Sequence, residues 1–275
     1  MSELIVERSV RAEGGEVRVL SRGEIADVLE VRRGSERVIV KVLREGAGEV
    51  ERCRFEGEVA ALAAVRHVNV VRTLRVIHDD EGPRALVMPR LVGRSIREWL
   101  TTLGPLPAPL AACVFGDALS GLGALHRRAL VHRDVKPDNL FLGREEHEPP
   151  SAVRCIVLDL GLAASPLASL TTGRHVVGSV GYLAPEQVLA GNLDARTDVW
   201  GAGVSLFEAV SRRPAFLSDD PLCVLERDPF DDLTQREARA LRPFEPLLRR
   251  ALAKRPALRW PSAAAMGEAL AGVSA

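Results

Sequence analysis

His132-Arg133-Asp134-Val135-Lys136-Pro137-Asp138-Asn139 sets a proton acceptor, a fixed positive charge and an amide oxygen close together, and Asp159-Leu160-Gly161 follows downstream. These residue types at this spacing suit phosphoryl transfer. Asp134 can accept the proton of an attacking hydroxyl. Asn139 and Asp159 are oxygen donors suited to Mg²⁺, a hard cation held by one or two protein oxygens plus substrate phosphates. Lys136 adds positive charge where a transferring phosphoryl group gathers negative charge. The bland alternative for each is a surface ion pair contributing ~0–1 kcal/mol. The run as a whole argues against it.

Groups this far apart in sequence converge only if folded elements hold them. Glu16–Leu20, Ile25–Val31 and Glu36–Leu43 are rich in valine and isoleucine and predict strands, with Arg32-Arg33-Gly34-Ser35 as a turn. Glu49–Arg66 carries apolar residues at three- and four-residue steps, the period of a helix. Val70–Ile77 and Arg84–Met88 predict two more strands around the turn-forming Asp79-Asp80-Glu81-Gly82-Pro83. After Pro89 the pattern turns helical, at Ile96–Leu100, Ala108–Arg127, Ala195–Ser211, Pro243–Ala253 and Ser262–Leu270. Arg144–Ser151 reads as a polar loop. The expectation is an α+β, bilobal chain: a strand-rich lobe to about residue 88, a connector at 89–93, and a mainly helical lobe over 94–275.

Composition narrows the classes. The 275 residues are 47% hydrophobic, enough for a sizeable core, and basic and acidic residues balance at 37 each. A nucleic-acid footprint needs a basic excess or stripe, so no such partner is expected. Cys53, Cys113, Cys155 and Cys223 form no paired motif and are expected as reduced, packed thiols. No apolar stretch is expected to reach the roughly 20 residues that span a bilayer. Met1–Glu7 lacks a signal-peptide pattern. A cytoplasmic protein without a membrane partner is expected, with no sensor domain after the last helix.

The run from His132 to Asn139 resembles the catalytic loop of protein kinases, H-R-D-x-K-P-x-N, and Asp159-Leu160-Gly161 resembles their D-F-G. Val38-Ile39-Val40-Lys41 is similar to V-A-I-K, and Arg66-His67-Val68-Asn69-Val70-Val71 to R-H-P-N-I-V. Gly178–Glu186 resembles G-T-x-x-Y-x-A-P-E, and Asp198–Val204 resembles D-V-W-S-L-G-V. The likeness extends from about Arg18 to Leu270.

The resemblance implies an ATP-dependent kinase with a β-rich amino-terminal lobe and a helical carboxy-terminal lobe in a single domain. Lys41 would contact the α- and β-phosphates, paired with Glu58 rather than Glu56, since Glu58 stands nine residues before His67. Adenine would lie under Val28, against the hinge of Met88 (gatekeeper), Pro89 and Leu91. Asn139 and Asp159 would hold Mg²⁺, and Asp134 and Lys136 would act at the γ-phosphate. Lys136 and Ser179 favour a protein substrate accepting on serine or threonine. Arg133 implies a basic pocket for a phosphorylated activation segment. Candidates there are Ser165, Ser169, Thr171 and Thr172, with Thr171 or Thr172 preferred and trans-autophosphorylation between two copies as the route. Arg259 would pair with Glu186.

Two departures stand out. Ser21–Val28 keeps only Gly23 of G-x-G-x-x-G-x-V, and Ser21 and Ala26 are expected to restrict a phosphate-binding loop. Ile39 replaces an alanine that would face adenine, on the same strand face as Lys41. They leave a second reading, a pseudokinase that binds nucleotide or a partner without transferring phosphate. A small-molecule phosphotransferase of the aminoglycoside-kinase kind is a third, opposed by the Ala184-Pro185-Glu186 segment.

Overall fold

A computed structural model describes residues 15–23, 25–160, 180–216 and 220–273. Five antiparallel strands open it: β1 (Glu16–Arg22), β2 (Ala26–Arg33), β3 (Glu36–Leu43), β4 (Arg75–Asp79) and β5 (Gly82–Pro89), in the order β1-β2-β3-β5-β4. Alternation along the strands sorts the side chains. Leu29, Val31, Val40, Val42, Ala85 and Val87 form a small outer core. Leu43, Leu86 and Met88 join the main core on the other face, with Ile39 packed against it. Helix α1 (Glu49–Ala64) crosses that inner face, burying Phe55, Glu58, Val59, Ala61 and Leu62.

Arg90 alone connects β5 to β6 (Leu91–Ser95), which pairs with β7 (Leu140–Glu145) and β8 (Arg154–Val157) in a second, three-stranded sheet. Gly93, at φ +154°, lets β6 approach β7; a Cβ there would lie 2.2 Å from the Leu142 carbonyl oxygen. Helices complete this lobe: α2 (Ile96–Thr102), α3 (Ala108–His126), α4 (Pro185–Val188), α5 (Ala195–Ser211), α6 (Cys223–Glu226), α7 (Gln235–Leu241), α8 (Glu245–Ala251) and α9 (Ala263–Val273). Ser95 caps α2 by accepting from the Glu98 amide, while the Glu98 carboxylate accepts from the Ser95 amide.

Several expectations need correction. The strand predicted at Val70–Ile77 begins only at Arg75. Val70 and Val71 instead meet the second lobe, where the Val71 amide donates to the Val157 carbonyl and the Val157 amide to the Asn69 carbonyl, both at 2.9 Å. The polar loop expected from Arg144 starts two residues later, because Arg144 and Glu145 belong to β7. Cys53 and Cys113 are exposed, not packed; only Cys155 and Cys223 are buried. Helix α3, at 19 residues, is long and apolar enough to cross a membrane by length and composition, contrary to expectation. Here it is the core helix of the second lobe, buried at Val114, Phe115, Ala118, Leu119, Leu122 and Leu125 and packed against α5, α9 and β8.

Candidate functional site

Three polar side chains meet between the lobes. Lys41, on the inner face of β3, donates from Nζ to Glu58 Oε1 of α1 at 2.6 Å and to Asp159 Oδ1, just past β8, at 2.9 Å. Glu56 does not take part; its carboxylate lies beside Gly82 instead. Burial opposes the charge on Lys41, but the carboxylates of Asp159 and Glu58 outweigh it and hold the ammonium above the ordinary lysine value. Glu58, with only 3% of its surface exposed, is shifted upward because desolvation exceeds the attraction of Lys41. Enclosure between the lobes also disfavours charge on Asp159, yet Lys41, His132 and Lys136 together hold its carboxyl below the usual range. With the Asp159 side chain 47% exposed, the ionised carboxylate keeps one side open to solvent.

The segment after α3 builds the lower wall. Asp198 of α5, 1% exposed, accepts from the backbone amides of His132 and Arg133 at 2.8 Å each and lies 2.7 Å from His126 Nε2. Those contacts, with Gln187 Nε2 donating to the Arg133 carbonyl at 2.9 Å, hold Arg133 at φ +68°. A non-glycine residue adopts that conformation only when its surroundings over-determine it. The turn aims Asp134 outward, where its Oδ2 accepts from Lys136 Nζ at 2.8 Å and from Asn139 Nδ2 at 2.9 Å. His132 is fully buried, its Nε2 2.8 Å from the Leu158 carbonyl, so it packs. Leu160 is buried in the core.

The chemistry of the donor set fits Mg²⁺. Both Asn139 amide-nitrogen bonds run to Asp134, which leaves Asn139 Oδ1 without a protein donor among the described residues. Asp159 keeps one carboxylate oxygen clear of Lys41. Two such oxygens suit an ion that completes its shell with phosphate and water. No cluster of three or more His, Cys, Asp or Glu able to hold a metal occurs among the described residues.

Above and behind lie the remaining sequence candidates. Val28 pairs with Lys41 across β2 and β3, and Ile39 faces Met88 across β3 and β5. Met88 is buried and Ile39 half-buried. The Glu146 amide donates to the Arg90 carbonyl at 2.9 Å. Alternation along an antiparallel ladder then directs the Leu91 N–H away from β7. Pro89, last in β5, has a carbonyl but no N–H to offer. Gly23 closes the turn between β1 and β2 by donating to the Ala26 carbonyl at 3.1 Å; a Cβ there would sit 2.4 Å from that oxygen. Ser21 and Ala26, expected to restrict the loop, flank this turn, near the end of β1 and at the start of β2. Gly161, the four Ser/Thr candidates and Ser179 lie outside the described residues.

One contributor escaped the motifs: Arg90 reaches carboxylates on both lobes. Sequence offered only a weak signal for it, a lone arginine between two strands.

Comparison with known proteins shows the family and the fold. The family described as "Protein kinase domain" matches residues 15–269. The serine/threonine-protein kinase PknL of Mycobacterium tuberculosis strain H37Rv is 33% identical over 225 residues, covering 80% of this chain and 54% of PknL. The serine/threonine-protein kinase PknB of Mycobacterium leprae is 30% identical over 238 residues, covering 83% of this chain and 37% of PknB. The chain thus spans about half the length, or less, of these relatives. The crystal structure of the M. tuberculosis PknI kinase domain superposes with a TM-score of 0.68 at 21% identity, over 93% of this chain and 94% of that one. That likeness shows the bilobal fold.

Proposed function

The chain belongs to the protein kinase family, and from that premise we propose that it is a serine/threonine protein kinase, transferring the γ-phosphate of MgATP to protein hydroxyls. The two lobes, divided at Arg90, make one catalytic domain. One observation carries the reading: Lys41 holds Glu58 and Asp159 at once, while Asp134 is braced by Lys136 and Asn139 in the same cleft. A pseudokinase is not favoured, because every polar group that transfer requires is present and engaged.

Each residue then has a task. Lys41, aimed by Glu58, meets the α- and β-phosphates. Val28, Ile39 and Met88 line the adenine slot, Pro89 offers its carbonyl and Leu91 its N–H, and Gly23 shapes the turn above the phosphates. Asn139 and Asp159 would hold Mg²⁺, which when bound neutralises charge on the phosphate oxygens. The acceptor hydroxyl donates its proton toward Asp134 as its oxygen attacks the γ-phosphorus in line, the bridging P–O bond to the β-phosphate breaks so that ADP leaves, and Lys136 offsets negative charge on the transferring phosphoryl group. Positioning and charge compensation supply most of the acceleration, since there is little covalent chemistry for the protein to perform.

The test is transfer of labelled γ-phosphate from MgATP to a generic basic protein, followed by phosphoamino-acid analysis. Phosphoserine or phosphothreonine is expected. No transfer, or label only on tyrosine, overturns the reading.

Two further predictions belong here. Ile39 adds three carbons to the adenine slot, and overpacking of this kind costs about 1–3 kcal/mol. Ile39→Ala should therefore lower the KM for ATP by about 5-fold or more, the lower end of that range, with little change in kcat; an unchanged or higher KM refutes this account of the slot. Arg133 Nε is buried without a hydrogen-bond partner among the described residues. That supports a phosphate-receiving role; two copies of the chain would serve as mutual substrates. Incubation with MgATP should add phosphate at Thr171 or Thr172, read by peptide mass analysis.

A further inference from the structure

Arg90 is the one residue between the last strand of the first lobe and the first strand of the second. Its guanidinium does not run out into solvent. Nε donates to Glu30 Oε1 on β2 at 2.5 Å, and Nη1 donates to Glu146 Oε1, just after β7, at 3.2 Å. Its own carbonyl accepts the Glu146 amide at 2.9 Å. Arg37 of β3 adds a second positive charge, with Nε 3.8 Å from the same Glu146 oxygen. The other oxygen, Glu146 Oε2, is buried without a hydrogen-bond partner among the described residues, so this carboxylate depends on the two arginines for compensation.

We propose that Arg90 is a positioning residue that clasps the two lobes together and sets how long nucleotide stays bound. The inference rests on the kinase reading for its nucleotide, and on geometry alone for the clasp. Glu30 stands two residues after Val28 on the same face of β2 and opposite Ile39 in register, so it is fixed to the roof of the adenine slot. Pro89 and Leu91, the two hinge residues that would meet adenine, flank Arg90 directly. Glu146 belongs to the other lobe. One planar fork therefore ties the roof, the hinge and the lower lobe, and opening the cleft along β2 must break it.

The bland alternative is a surface ion pair of negligible effect. Burial argues otherwise: the side chains of Arg90, Glu30 and Glu146 are only 28%, 16% and 23% exposed. Lysine at this position has no rigid fork to serve two carboxylates at once.

The clasp binds substrate and transition state alike, so its loss should appear in KM and not in kcat. Arg90→Ala is expected to raise the KM for ATP about 5- to 20-fold through faster nucleotide dissociation, with kcat within about twofold. Arg90→Lys should fall between parent and alanine variant, which keeps the test usable if Arg90→Ala folds poorly. Glu30→Gln should raise KM in the same direction, and adding it to Arg90→Ala should do nothing more, as expected for two ends of one contact. In nucleotide-free protein, hydrogen exchange of the Glu146 amide should quicken in Arg90→Ala. Unchanged KM with unchanged exchange overturns the clasp, as does a fall in kcat at constant KM. If the parent transfers no phosphate, the kinase reading fails, while the exchange measurement on nucleotide-free protein still decides the clasp.

Discussion

Replacing Asp134 with asparagine is expected to cut kcat by about 10²–10⁴-fold, the range that a positioned general base contributes. Asparagine keeps the shape of the side chain but not its charge or its capacity to take a proton. Asp134 Oδ2 now receives both Lys136 Nζ and Asn139 Nδ2. In the variant Lys136 loses its counter-charge, and one amide nitrogen must face a donor or turn outward. Neither change disturbs the backbone turn, because that is held by Asp198 through the amides of His132 and Arg133. The KM for ATP should thus stay within about twofold, the signature of an interaction made in the transition state. Steady-state kinetics beside a thermal melt separates this from misfolding. A variant that folds and retains a tenth of the parent rate removes Asp134 from the mechanism.

Arg259→Ala should produce the largest loss of stability. Its side chain is fully buried, and Nη1 and Nη2 each donate to a Glu186 oxygen at 2.7 Å. Further donations reach the carbonyls of Ala253, Arg196 and Lys254. Alanine leaves Glu186 as a buried carboxylate with, among the described residues, only the Thr197 hydroxyl, 2.9 Å away, to satisfy it. Removing one partner of a buried pair costs about 3–5 kcal/mol, because the orphaned charge keeps its desolvation penalty. Total stability is only about 5–15 kcal/mol, so urea midpoints should fall steeply at unchanged slope. Arg259→Lys should recover a minority of the loss, since an ammonium cannot form the fork. A shift under about 1 kcal/mol for alanine would mean that Glu186 finds another partner or water.

Much of the fold is legible in residue patterns. Valine and isoleucine at alternate positions mark β2 and β3, and three- and four-residue spacing marks α1, because backbone periodicity imposes those repeats wherever one face is buried. The small sheet is not legible. Strand β7 runs through Leu140-Phe141-Leu142 at the end of a stretch dominated by functional residues, and β8 is four residues long, too short to show a period. Val70 and Val71 have strand chemistry yet serve as a bridge to the second lobe, since β-propensity reports a fit to a half-buried surface and not which surface.

The chemistry follows from side-chain identity: a carboxylate, an amide and an ammonium behave as such wherever they stand, and short spacings such as Asp134 to Asn139 hold them near one another without help. Family membership is written at the same level. Long-range geometry is different. The resemblance selects Glu58 over Glu56 as the partner of Lys41, but the contact itself is made by how a helix is rotated against a sheet, and Asp159 reaches Lys41 from 118 residues away. The contact of Arg90 with both lobes leaves no local trace beyond a lone arginine between two strands. Such pairings arise from packing the whole inner face of the sheet, a collective minimum that no single segment encodes.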